Sequence, residues 1–158
     1  EMDVYVYDPF LDNNLIEKYN GIPIEKNEGL SLADFVTIHL PLNNNTKGFI
    51  SEKELNSMKH NSILVNTSRG GIVNENDLCN ALNSKIIRGA GMDVFENEPP
   101  DSKHPFFNLD NILLTPHNAA LTIECRERMS LEASQNIVYF LRDRKRMNEE
   151  NLVNKDFL

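Results

Sequence analysis

Five short stretches of this sequence carry side chains able to do chemistry. They are Asp8; His39-Leu40-Pro41; Thr67-Ser68-Arg69-Gly70-Gly71; Asp93 with Glu96-Asn97-Glu98-Pro99; and Thr115-Pro116-His117. A histidine titrates close enough to neutral pH to give or take a proton. A neighbouring carboxylate favours its imidazolium form and holds the ring. A guanidinium grips a carboxylate in a two-pronged fork that lysine does not reproduce. Taken singly, each residue has a plain alternative. A histidine after a proline is usually a surface residue, and Arg69 suits a surface ion pair. Glu98 before Pro99 suits loop polarity, and Asp8-Pro9 suits a turn. What raises them is position, because every stretch follows a strand pattern.

Residues 4–7 form a β-branched and aromatic run ended by Asp8-Pro9, since proline does not continue a central strand. Residues 11–19 read as a short helix closed by Asn20-Gly21, and residues 22–24 as a short strand. Residues 31–33 read as a helical turn leading into a strand over 35–40, stopped by Pro41. Asn43-Asn44-Asn45-Thr46 is a turn-rich loop. Ser51 caps a helix and Glu54 closes its capping box. Residues 63–66 have the continuous apolar pattern of a buried parallel strand. Asn74 caps a helix that runs through Asn83. Residues 86–94 contain a strand interrupted by Gly89 and Gly91, where small residues allow close backbone approach. Residues 112–114 are a last short strand. A long helix follows from Thr122 to about residue 144, with Met129, Ala133, Ile137, Phe140 and Leu141 on one face. Strands alternating with helices indicate an α/β domain with a mainly parallel sheet. In such sheets ligands bind at the carboxyl ends of the strands, beside a topological switch.

Composition excludes several classes. The 158 residues carry a net charge of −8, from 16 Lys+Arg against 24 Asp+Glu. A general nucleic-acid binder normally shows a basic face instead. No apolar run approaches a membrane span, and no signal peptide opens the chain. Cys79 and Cys125 form no CxxC pair, which fits a reducing, cytoplasmic setting and excludes a disulfide scaffold. Both thiols read as buried or inert. No histidine or cysteine spacing points to a metal. Among the other histidines, His39 reads as a packing residue, and His60 and His104 as loop residues.

Four ordered segments carry a resemblance. They are Asp34-Phe35-Val36-Thr37-Ile38-His39-Leu40-Pro41, Val65-Asn66-Thr67-Ser68-Arg69-Gly70-Gly71, Gly91-Met92-Asp93-Val94-Phe95-Glu96-Asn97-Glu98-Pro99 and Thr115-Pro116-His117-Asn118-Ala119-Ala120. Together they resemble the nucleotide-binding domain of D-isomer-specific 2-hydroxyacid dehydrogenases, over essentially the whole chain. Residues 121–129 and Asn151-Leu152-Val153-Asn154 are most similar to the phosphoglycerate and hydroxypyruvate/glyoxylate enzymes. The resemblance implies a Rossmann-like, doubly wound parallel sheet and an oxidoreductase that uses NAD on a small 2-hydroxy or 2-oxo acid. It implies that His117 is the acid/base, that Glu98 pairs with it, and that Arg69 binds the substrate carboxylate and polarises the carbonyl. It also implies a cofactor set. Asp8 takes the adenine ribose, favouring NAD over NADP because a carboxylate repels a 2′-phosphate. Pro41 and Thr46 flank the cofactor. Thr67, Ser68 and Arg69 lie beneath the nicotinamide ribose, Asp93 near the carboxamide, and His117 and Ala120 close that side. A homodimer built through nucleotide-binding domains is implied as well.

The departures shape the remaining expectations. The glycine-rich GxGxxG turn that seats a pyrophosphate on a helix N-terminus is absent, and so is the strand before it. That strand is normally central, between the strands at residues 4–7 and 35–40. The chain starts at Glu1 rather than Met and enters a strand almost at once. We therefore expect a fragment of a longer enzyme: residues 1–120 a partial NAD-binding domain, 121–146 a helix returning to a substrate domain, and 147–158 a polar tail. The fragment alone is expected to be inactive, with two unpaired sheet edges. Two further readings stand beside the enzyme. Transcriptional corepressors that dimerise with NAD share this fold and keep Arg69, Glu98 and His117, and a degenerate gene fragment would keep only the packing.

Overall fold

The computed structural model describes residues 2–143 together with Asn148 and Leu152. Apart from those two residues, the expected tail over 147–158 lies outside the described residues, as do residues 144–146. Two compact units are present, Glu1–His117 and Asn118–Leu158. The first contains strands β1 (Tyr5–Val6), β2 (Ile22–Pro23), β3 (Phe35–Ile38), β4 (Ile63–Asn66), β5 (Gly89–Met92) and β6 (Ile112–Leu114). Its helices are α1 (Asn13–Lys18), α2 (Lys26–Leu32), α3 (Glu52–Ser57) and α4 (Glu75–Asn83), with a short 3-10 turn at Pro105–Asn108. The second unit contains α5 (Ile123–Arg142).

All strand pairs are parallel, as alternating strands and helices require. β3, β4, β5 and β6 form one sheet in that order, while β1 and β2 form a separate two-stranded ladder. Among the described residues β1 pairs only with β2, and β3 only with β4. The strand that the sequence reading places between β1 and β3 corresponds to this break. In the larger sheet Ile38 pairs with Asn66, Asn66 with Met92 and Met92 with Leu114. The four strands thus finish level, and the loops that follow start from one edge.

Local signals explain the helices. Asp12 accepts the Asn14 N–H at 2.9 Å to cap α1, and Asn20 takes a left-handed φ of 62° just past its end. Glu54 reaches back to the Ser51 N–H at 3.3 Å and closes the expected capping box of α3. Asn74 accepts the Asp77 N–H at 3.0 Å and starts α4 where the sequence places it. α2 is longer than expected, because only its last residues had been visible as a helical turn. β3 stops at Ile38, two residues early, since His39-Leu40-Pro41 leaves the ladder.

The core fills one face of the four-stranded sheet. Leu64 and Met92 pack with Leu30 of α2, Leu55 of α3, Met58 just past α3, and Leu78 and Leu82 of α4. Gly89 is small for the reason expected: a Cβ there would stand 3.0 Å from the Asn111 carbonyl oxygen. At Gly91 the corresponding contact is an ordinary 3.9 Å, so close approach is not what requires that glycine. α5 runs from its cap Thr122, whose hydroxyl accepts the Cys125 N–H at 3.2 Å. Three residues of its apolar stripe are exposed: Met129, Ile137 and Leu141 at 55%, 61% and 72%. No described helix is long and apolar enough to cross a membrane.

Candidate active site

The loop after β4 is organised by the residue that ends the strand. Asn66 is fully buried. Its Oδ1 accepts the Ser68 N–H at 3.0 Å and the Ser68 hydroxyl at 2.8 Å, and its Nδ2 donates to the Arg69 carbonyl at 3.0 Å. One side chain therefore fixes the turn that presents Arg69. The Arg69 guanidinium is exposed, and Nη1 donates to the Ser68 carbonyl at 2.6 Å. Among the described residues it makes no ion pair, so its charge is available to a ligand. Replacing Asn66 by alanine strands the polar groups it serves. Stability is expected to fall by about 1–3 kcal/mol, read as the denaturant midpoint at unchanged slope. A loss below about 0.5 kcal/mol, the level of an ordinary surface change, would show the turn holds itself.

Gly70 fixes where that turn sits. A Cβ on Gly70 would lie 1.8 Å from the Phe95 carbonyl oxygen. Only a residue without a side chain lets the Arg69 turn touch the backbone of the loop that follows β5.

That second loop carries Glu98. Its Oε1 accepts the Phe95 N–H at 3.0 Å, and its Oε2 meets His117 Nδ1 at 2.8 Å. The hydrogen bond from His117, then that from Phe95, holds the Glu98 carboxyl below its ordinary range. The carboxylate is an acceptor near neutral pH, so Nδ1 carries the proton of this contact. The other ring nitrogen, Nε2, is left to exchange a proton elsewhere. His117 sits at φ 53°, a left-handed backbone that histidine adopts more readily than most residues. Both side chains are partly open, at 47% for His117 and 37% for Glu98.

Asp93 is 3% exposed and accepts the Thr115 hydroxyl at 2.6 Å, tying the end of β5 to that of β6. Its charge opposes the lowering of Glu98. A cleft of about 620 Å³ opens beside the ends of β3 and β4, lined by His39, Leu40, Pro41, Leu42, Ser68 and Arg69. Pro41, Ser68 and Arg69 are thereby brought together. Thr46 shapes the rim: its hydroxyl donates to the Pro41 carbonyl at 2.6 Å and accepts the Asn43 N–H at 2.8 Å. Thr67 is exposed in the turn between Asn66 and Ser68. Asp8 lies just past β1, on the separate ladder, and its Oδ1 accepts the Phe10 N–H at 2.9 Å in an Asp-Pro turn. Ala120 belongs to the second unit.

Two histidine readings need correction. His39 is not a packing residue. It is exposed at the cleft, with Nε2 3.0 Å from the Thr37 hydroxyl, because the chain turns out of the sheet at that point. His104 is not a plain loop residue. It caps the 3-10 turn and pairs with Glu75 at 3.1 Å. Asn66, Glu75 and His104 were not singled out from the sequence. For Asn66 a signal existed, a polar residue closing an otherwise apolar strand. Glu75 and His104 lie 29 residues apart, and nothing local announces that pairing.

A parallel α/β sheet with polar and charged side chains collected at the carboxyl ends of its strands has the architecture of a doubly wound, Rossmann-like domain, in which ligands bind at those ends. Residues 1–119 match the family described as D-isomer specific 2-hydroxyacid dehydrogenase, NAD binding domain, and the chain belongs to that family. It is 45% identical over 129 residues to a glyoxylate reductase of Thermococcus litoralis, covering 82% of this chain and 38% of the relative. It is 36% identical over 155 residues to a D-3-phosphoglycerate dehydrogenase of Methanocaldococcus jannaschii, covering 97% and 29%. The NAD-complexed D-isomer specific 2-hydroxyacid dehydrogenase of Lactobacillus delbrueckii superposes with a TM-score of 0.81 at 25% identity, over 96% of this chain and 49% of that one. The chain thus spans less than half the length of each of these proteins.

Proposed function

We propose that this chain is the NAD-binding portion of an oxidoreductase that moves a hydride between NAD(H) and a small D-2-hydroxy or 2-oxo acid. The observation that carries the reading is the Glu98–His117 pair at 2.8 Å, with Arg69, in no ion pair among the described residues, at a strand end of the same unit. NAD(H), when bound, supplies or accepts the hydride. In the direction of reduction, His117 Nε2 delivers the proton to the carbonyl oxygen while Glu98 stabilises the imidazolium. Arg69 grips the substrate carboxylate and draws charge toward the carbonyl oxygen. The residues fit the cofactor in part. Asp8 keeps its second carboxylate oxygen for ribose hydroxyls, and the cleft along Pro41, Ser68 and Arg69 offers mixed apolar and polar walls. The pyrophosphate-binding glycine turn is not in this sequence. Residues 1–120 form the nucleotide-binding part and 121–146 a returning helix. The native protein works as a cytoplasmic homodimer.

The test is stereospecific NADH oxidation by the native protein with glyoxylate, hydroxypyruvate and related 2-oxo acids. Tight NAD binding without turnover on any of them would instead favour a corepressor-like scaffold. Cofactor choice gives a separate check. Asp8→Ala is expected to shift the NADP-to-NAD affinity ratio by about tenfold toward NADP, from the loss of a charge-assisted hydrogen bond and of a repulsion. An unchanged ratio in titrations of both cofactors removes Asp8 from the ribose site.

A further inference from the structure

Glu75 opens α4, where an acidic side chain suits the helix dipole. An exposed carboxylate would serve that purpose, and Glu75 is not exposed: its side chain retains 13% of its surface. It turns instead onto the loop after β5. Its Oε1 accepts the Glu96 N–H at 2.7 Å, and its Oε2 meets His104 Nε2 at 3.1 Å. His104 Nδ1 accepts the Phe106 N–H at 3.3 Å. That nitrogen therefore carries no proton, and Nε2 is the one that donates to Glu75. Both nitrogens of the His104 ring are committed. Its faces and edges are committed as well, standing edge-on to Phe95 at 5.4 Å and to Phe106 at 4.8 Å between ring centres.

The consequence falls on residues 95 and 96. Glu75 holds the backbone of residue 96, and His104 packs on the ring of residue 95. The Phe95 N–H is the group that donates to Glu98 Oε1 at 3.0 Å. The Phe95 carbonyl is the atom against which Gly70 packs. We infer that Glu75 and His104 are positioning residues for the acid/base pair: they anchor the segment whose backbone N–H aims Glu98 at His117. Neither is among the residues lining the cleft beside Arg69. The inference rests on the proposed acid/base role of Glu98 and His117, and it adds a support that acts through Glu98.

Two variants test it. Glu75→Gln keeps size and one acceptor oxygen, so it cannot serve both the Glu96 N–H and His104. His104→Phe keeps the ring stacking and removes both hydrogen bonds. The readouts are NMR titration of the Glu98 carboxyl carbon and the ring-nitrogen spectrum of His117, recorded on this chain. The titratable groups facing Glu98 are His117 and Asp93, and neither is substituted in the variants. The expected result is a Glu98 midpoint that climbs toward the ordinary carboxylate range and a His117 ring that loses its fixed Nδ1–H form. In the native protein kcat should fall about ten- to a hundredfold, the cost of a small misplacement of a catalytic group, with KM changed far less. If either variant folds and leaves both spectra as in the parent, the positioning role is overturned. A variant that only lowers the melting temperature, with Glu98 and His117 unmoved, overturns it equally. Should the native protein oxidise no NADH, the spectra still decide the point, so the failure of the activity and the failure of this inference are separable. If Glu75→Gln does not fold, His104→Phe carries the same test.

Discussion

Replacing His117 by alanine is expected to lower kcat of the native protein about 10²–10⁴-fold, the usual worth of a placed acid/base. NAD affinity should change much less, because the proposed proton route runs through Nε2 while His117 is only one of several groups in the implied cofactor set. Stopped-flow turnover and cofactor titration measured side by side decide it. Equal losses in both would assign His117 to binding. Glu98→Gln should reproduce part of the loss, since the amide keeps the shape and removes the charge. The sign of the pH dependence follows from the direction of the Glu98 shift. Its carboxyl is held below the ordinary range in the folded chain by His117 and the Phe95 N–H. The contact therefore adds stability above the unfolded carboxylate range and loses it as pH falls through the folded value. With the Glu98 side chain 37% exposed, solvent screens this gain, and its mark is a pH slope rather than a large stability term.

Gly70→Ala is expected to be the most damaging single methyl in the first unit. The added carbon would sit 1.8 Å from the Phe95 oxygen and 2.1 Å from its carbonyl carbon. Those are backbone atoms, which cannot swing aside as a side chain can. Overpacking of this kind costs about 3 kcal/mol or more, a fall in melting temperature of about 6–12 °C for a chain of this size. Gly71→Ala is the natural control. Gly71 has φ 77°, and its nearest neighbour would be Leu42 at 3.7 Å, so there the cost is conformational rather than steric. It should come to about 1 kcal/mol. If the two variants melt together, the Gly70–Phe95 contact is not what holds the Arg69 turn. Because this contact joins the Arg69 loop to the Glu98 loop, Gly70→Ala should also raise KM and lower kcat together.

The strands whose bounds read best from sequence were the short, unbroken apolar ones. Residues 63–66 and 112–114 have the bounds expected of them, since an unbroken apolar run between turn residues has little else to become. α4 was equally legible, because Asn74 supplies its cap and the apolar spacing runs on from it. α2 was largely missed: its cap Glu25 makes no side-chain hydrogen bond, and Gly29 interrupts the pattern. The stripe on α5 was legible, but its exposure was not, because periodicity marks a face without saying whether anything covers it. For the site, it was the family resemblance carried by four ordered motifs, rather than residue type alone, that brought forward Arg69, Glu98 and His117. What they could not bring forward were the groups that aim them. Asn66 works on residues two and three places away, where its geometry depends on burial. Glu75 works across 21 and 29 residues, a span at which only the folded chain establishes proximity.

The break between the two sheets also separates the proposed site residues of this chain. The β1–β2 ladder has two paired positions, and among the described residues of its segment only Ile16 is buried, outside the main apolar cluster. The four-stranded sheet rests on that cluster. Segments so unequally anchored open at different free energies. Asp8 rides on the weakly anchored ladder, whereas Arg69, Glu98 and His117 stand on loops from the strongly anchored sheet. In this chain the residue proposed to discriminate between cofactors and the residues proposed to handle the proton therefore stand on segments that can loosen, and be altered by mutation, independently of one another.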